Sequence, residues 1–187
     1  MSVAKLSVAV VLVLCASHAV HAQHQDAEVL SAAIAYYSNT KSSSPLLVIA
    51  GETIPADQIR MGHFERAEAV EIPASITLEL RNRNAEMRPI GDIQLPANTM
   101  IVRGAISMTR HFTPGGEEVA DWSPFMHAYP GHQLLQLAMP AYFTPDQKAL
   151  VYFWAGIGPE GTQGWLYILE RRGSEWRVTW SDSPWIS

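Results

Sequence analysis

The spacing of apolar residues changes from helical to alternating along this chain, and that change orders the elements it predicts. In DAEVLSAAIAYYSN, residues 26 to 39, Val29, Leu30, Ala33, Ile34 and Tyr37 share one stripe at helical spacing, with Asp26 available as an N-cap. A helix is expected there. TKSSSP is a polar connector, and LLVIA, residues 46 to 50, is a continuous apolar run of strand length. Pro55 is placed to open a second helix, with Phe64, Ala67 and Val70 at helical spacing and Gly62 against it. Residues 73–84 read both ways: Ile76 and Leu80 suit a helix, whereas Ile76, Leu78 and Leu80 alternate as in a strand. Periodicity does not decide between them.

Residues 99 to 112 look extended, and the PGG at 114 to 116 punctuates the chain after them. DWSPFMHAYPG then offers Ser123 as a cap, Pro124 at the first helical position, and Trp122, Phe125 and Tyr129 on one side of a short helix. From Gln133 onward the pattern is β. Pro140 marks LLQLAMPAYF as an edge strand or a bulge, FTPDQ makes a turn, ALVYFW is apolar on both faces, and AGIGPEGTQG is a Gly-rich connection.

The last hairpin is GWLYILERRGSEWRV, residues 164 to 178. A turn at Arg172 and Gly173 sets Leu169 opposite Trp176, Tyr167 opposite Val178 and Trp165 opposite Trp180, so one face collects the aromatic side chains. That register also opposes Glu170 and Glu175. A slip by one residue relieves the repulsion but turns the aromatic set outward. On the other face Leu166 and Ile168 are apolar while Arg177 and Thr179 are polar, so the first strand is expected near the sheet's middle and the second near an edge. Trp165, Tyr167, Trp176 and Trp180 are either core filling or the lining of a concave ligand pocket, and both readings stand at this point.

Together these elements predict a single α+β domain over residues 23–187, with N-terminal helices packed on a C-terminal antiparallel β-meander. The opening MSVAKLSVAVVLVLCASHAVHAQ changes the setting. One cation, Lys5, precedes an apolar run from Leu6 to Ala16 and then small residues, the three parts of a secretory signal peptide over residues 1–22 cleaved after Ala22. The run is about half of the ~20 residues a membrane span needs. Leu14 before Cys15 argues against lipid attachment. Cleavage leaves 165 of the 187 residues, enough for one core, and no cysteine. Disulfides, a thiolate nucleophile and cysteine metal ligands are thereby excluded from the mature chain. Losing Lys5 moves the formal charge from −5 to −6, and acidity spread along the chain argues against nucleic acid as a partner.

The C-terminal pattern resembles an uncharacterised family of small secreted bacterial proteins. The residues that carry it are Ala149 to Tyr152, Gly164 to Leu169, Gly173, Trp176, Val178 and the closing Trp185, Ile186 and Ser187, with weaker support from DWSPFMHAYPG and LLVIAGET. The resemblance implies export and this fold, and it brings no activity with it. It also implies two cysteines in the Gly-rich connection, where this chain has Ile157 and Gly161, so a disulfide clamp is missing here.

Chemical motifs add little. GIGPEG has dinucleotide-fingerprint spacing, but it leads into a strand and not a helix, so no cofactor is expected. HAYPGH separates His127 and His132 by a Pro-Gly turn without a third ligand, so no metal site is expected. His24, second in the mature chain, offers weak copper ligation beside the free amine, with a disordered tail as the plainer account. Glu52, Asp57, Asp92 and Asp121 are scattered, and Asp92 and Asp146 look like turn residues. Arg81, Asn82, Arg83, Asn84 and Arg88 read as a solvated segment. The expected function is a secreted or periplasmic non-catalytic binding protein for an unknown small molecule or envelope partner, without a membrane span. Its rival is a small hydrolase or isomerase with His127 or His132 beside a carboxylate in a pocket of the curved sheet.

Overall fold

The computed structural model describes residues 23–41, 46–59, 70–103, 109–112, 118–144, 146–158 and 161–186, with the backbone alone at 109–112, 118–120 and 184–186. The expected signal peptide 1–22, the helical spacing of Phe64 and Ala67, and the PGG at 114 to 116 lie outside these residues.

Helix α1 runs from 23 to 40 within the described chain. Its stripe of Val29, Leu30, Ala33, Ile34 and Tyr37 is buried, as the spacing predicts. After β1 (Leu46–Ala50), Pro55 opens a 3-10 turn, Ala56–Gln58. The ambiguous stretch is helical: α2 spans Ala74–Arg83, burying Ile76 and Leu80 and leaving Leu78 exposed. β2 (Thr99–Val102), β3 (Thr109–Phe112) and β4 (Glu118–Asp121) follow, then α3 (Ser123–Ala128). Ser123 is the first residue of α3 and not its cap: Trp122 takes the cap position, and the Asp121 carboxylate accepts the Ser123 N–H at 2.9 Å. The remaining strands are β5 (His132–Leu137), β6 (Ala141–Thr144), β7 (Lys148–Gly156), β8 (Thr162–Arg172) and β9 (Glu175–Ile186).

Seven strands form one open sheet in the order β2-β1-β5-β7-β8-β9, with β6 also paired to β7, while β3 and β4 make a separate hairpin. The fold is α+β, with N-terminal helices on a sheet whose C-terminal part, β7-β8-β9, is an antiparallel meander. Beyond the meander the sheet is mixed, because β1 runs parallel to both β2 and β5. β5 and β6 are one strand broken at Pro140; both pair with β7 on the side away from β8. A proline there lacks the ladder N–H, so a break is the physical outcome.

Asn84 fills that break. Fully buried, it donates through Nδ2 to Leu80 O at 2.7 Å and Met139 O at 3.1 Å, and its Oδ1 accepts the Met139 N–H at 2.8 Å. The α2 C-terminus is thereby bonded to the interrupted strand. Arg83 beside it also turns inward, donating to the Asp26 carboxylate at 2.7 Å, whereas Arg81, Asn82 and Arg88 are exposed. The run 81 to 88 is therefore solvated only in part. Asp26 is not an N-cap either. It lies inside α1, and its second oxygen accepts the Tyr142 hydroxyl at 2.7 Å, so one carboxylate ties α1 to α2 and β6. Burial pushes that carboxyl up from 3.8, against the opposing pull of the Arg83 charge and both hydrogen bonds.

Candidate functional site

The aromatic layer forms on the sheet face under α1. Alternation along β7 and β8 sends Ala149, Val151, Phe153, Tyr167 and Leu169 to that face, where they meet the α1 stripe and Trp176. Tyr36 meets Tyr167 edge-on at 5.3 Å, Tyr37 meets Phe153 at 5.2 Å, and Phe153 meets Tyr167 at 5.1 Å, geometries that aromatic quadrupoles favour. Tyr167 is 1% exposed and Trp176 7%. α1 occupies the volume above them.

The hairpin register corrects the sequence expectation by two residues. Arg172 pairs with Glu175, Glu170 with Arg177, and Leu169 with Val178. Gly173, at φ 65°, and Ser174 form the turn, the pattern of a type II′ connection with glycine first. A shift by two preserves every side chain's face and replaces the Glu170–Glu175 repulsion with two opposite-charge pairs. Between Leu169 and Ile168 the partner jumps from Val178 to Trp180, so Thr179 is an extra residue in β9. Such a bulge inverts the faces beyond it. Trp180 therefore packs with the cluster of Leu166 and Ile168 on the opposite face, and a single layer of all four aromatics does not form. The structure brings Trp165, Tyr167 and Trp176 together and separates Trp180 from them.

The histidines of the rival reading stand apart. His127 is exposed on α3; His132 is half-buried, with Nδ1 3.0 Å from Pro130 O and its ring against Tyr129. His24 lies within α1, not in a tail, 3.5 Å from Glu28. Among the described residues no group of three or more His, Cys, Asp or Glu side chains is placed to hold a metal ion. GIGPEG begins in the last residue of β7, where a Cβ on Gly156 would stand 2.8 Å from the Trp122 ring, so that glycine serves a close approach. Positions 157 and 161 lie side by side: a Cβ at Gly161 would be 3.0 Å from Ile157 Cγ1.

An open groove of about 890 Å³ lies along the outer side of α1. Its floor is the i, i+4 ridge of Ala27, Ser31, Ala35 and Asn39, and its far wall is the segment of Gln94, Leu95 and Pro96. Ser31 fixes that wall: its Oγ donates to Ala27 O at 2.6 Å and accepts the Gln94 N–H at 2.8 Å. Trp176 and the Ser174–Glu175 turn also line the groove, as do Glu28 and the exposed His24 and Asp92. The groove depends on a crossing of α1 by an irregular segment, and no local pattern announces such a crossing. Of the residues that the sequence singles out, His24, Asp92 and Trp176 line the groove.

No family model matches the chain, and neither does any curated protein or solved structure. Among the described residues no helix is long and apolar enough to cross a membrane.

Proposed function

We propose that this is a non-catalytic binding protein, exported to the periplasm or beyond, that holds a neutral or cationic polar ligand in the groove along α1. The observation that carries this reading is the groove's lining: amide, hydroxyl and carboxylate groups stand over a floor of small side chains, next to an aromatic layer already filled by α1. Its size lies within the roughly 300–1,000 Å³ of ligand sites. The lining carboxylates Glu28, Asp92 and Glu175 each stand 2.9–3.8 Å from an arginine outside the lining, Arg171, Arg103 and Arg177, so their charge is largely balanced; the lining itself holds acceptors and no arginine or lysine, which suits a neutral or cationic hydrogen-bond donor better than an anion. Export is supported by the N-terminal pattern and by the resemblance of the C-terminal hairpin to small secreted bacterial proteins.

The test is a thermal-shift screen of the mature protein against neutral glycans, basic peptides, anionic lipids and metal ions, since a ligand of the folded state raises the midpoint. A rise with a glycan or basic peptide is expected, and it should vanish in Ala35→Trp, which fills the groove from a half-exposed position. Stabilisation by anionic ligands alone, or a shift unchanged in Ala35→Trp, contradicts the groove as the site. Export is checked by the intact mass of the protein recovered from the producing cell, which should lack residues 1–22.

A further inference from the structure

Near the C-terminal end of α1 the aromatic layer opens toward solvent at Trp165. Trp165 is half-buried where Tyr167 is enclosed, and Phe153 stacks behind Trp165 at 6.5 Å and 17°. Tyr37 stands against Trp165 with ring centroids 5.7 Å apart and planes 70° apart, so the two rings make a corner. The Tyr37 ring is fixed from its far end, its hydroxyl donating to Gln133 Oε1 at 2.9 Å. Into this corner the chain places its own cation: Lys41, four residues beyond Tyr37, holds Nζ 4.2 Å from the Trp165 centroid and 5.2 Å from that of Tyr37. Lys41 forms no ion pair among the described residues, so the rings are its counter-charge.

We propose that the Tyr37–Trp165 corner is a binding site for trimethylammonium groups, kept occupied by Lys41 until a ligand displaces it. The site is distinct from the groove, and its failure would leave the groove untouched. Ring faces attract a cation through their quadrupole, and quaternary ammonium groups are the ligands that aromatic enclosures recognise. A primary ammonium is strongly hydrated and loses that water on entering. A trimethylammonium group surrenders less hydration and presents methyl groups to both rings, which is how it competes with an occupant tethered nearby at high effective concentration.

The chain has three lysines, Lys5, Lys41 and Lys148. Carbon-13 labelling of lysine at Cε, which leaves the primary ammonium unchanged, therefore gives few resonances, and that of Lys41 should be displaced by the ring currents of Trp165 and Tyr37. Choline chloride should move it toward the position of an exposed lysine, while sodium chloride at equal ionic strength should not. In Lys41→Ala, choline should bind roughly tenfold more tightly than in the wild type, because an occupant present about nine-tenths of the time no longer competes. Trp165→Leu should abolish binding, and tert-butanol, similar in shape but neutral, should not bind either protein. Sedimentation with phosphatidylcholine vesicles would assign the ligand to a lipid headgroup; binding of choline without vesicle binding would assign it to a free ammonium compound. A Lys41 resonance that answers choline only as it answers sodium, with no gain of affinity in Lys41→Ala, overturns the proposal.

Discussion

The two faces of the sheet are covered in different ways. Under α1 a single helix lays one continuous stripe on a layer rich in rings, and Tyr36, Tyr37, Phe153 and Tyr167 lock edge to face. The opposite face is assembled from short pieces: Ile59 after the 3-10 turn, Ile76 and Leu80 of α2, and Trp122 and Phe125 at α3, over Val48, Leu134, Leu150, Tyr152 and Ile168. Short helices contribute little order of their own. This face consequently relies on polar fasteners, Asn84 in the strand break and the Glu79 carboxylate accepting the Tyr142 N–H at 3.1 Å. The α1 cover rests mainly on packing, with Asp26 and Tyr37 adding a polar tie near each end of the helix, whereas the other depends on hydrogen bonds placed at breaks in the chain.

The most disruptive way to break the packed face is Tyr167→Ala. Removing a fully enclosed ring should cost about 4 kcal/mol, whereas Trp180→Ala on the other face, half-buried beyond the bulge, should cost about 1 kcal/mol. Chemical denaturation of the two variants reads the contrast directly; equal losses would mean that both rings share one layer. The fastened face has its own weak point. Asn84→Leu keeps the volume but strands the Met139 N–H and C=O, so a loss of about 3 kcal/mol and a fall in Tm of roughly 6–12 °C are expected by calorimetry. Gly156→Ala should cost less, about 1–2 kcal/mol, because the Trp122 ring must move away from the new methyl, and near-ultraviolet circular dichroism should register that movement.

The smallest effect is one of pH. Burial pushes the Tyr37 hydroxyl up to about 12 and raises those of Tyr142 and Tyr167 as well, with the Asp26 charge adding to the shift at Tyr142. A folded pKa above the unfolded value of 10 means the native state keeps protons that the unfolded chain releases, so this stability is full below pH 10 and falls as pH rises through about 12 for Tyr37. Phenolate absorbance from these three tyrosines should appear together with unfolding and not before it. Early ionisation of Tyr37 or Tyr167 would show that α1 does not seal the layer.

The difference between the faces also explains what the amino-acid pattern disclosed. α1 and the meander were legible because a stripe at helical spacing and apolar runs of strand length bounded by turns both report burial directly. Alternation is blind to shifts of two residues, so the hairpin register escaped it; the pairing follows the turn at Gly173 and the charges on Glu170, Arg177, Arg172 and Glu175. An extra residue such as Thr179 leaves no trace in hydrophobicity, which is why alternation alone puts Trp180 on the wrong face. LLVIA showed a buried strand but not its direction, since an apolar run is the same in parallel and antiparallel pairing. Arg83 and Asn84 looked solvated because composition does not say which polar side chain in a polar run turns inward. The groove was hidden for a related reason: its wall, residues 94 to 96, has no periodicity and is held by Ser31 across 63 positions.

The central claim is that the aromatic layer is the fold's interior, built by a hairpin in which Thr179 bulges and parts Trp176 from Trp180. Inter-strand nuclear Overhauser effects across β8 and β9 test it most directly. The account predicts cross-peaks joining Leu169 to Val178 and Ile168 to Trp180. Cross-peaks joining Leu169 to Trp176 and Trp165 to Trp180 would contradict it, returning all four rings to one face and the ligand platform to the sheet.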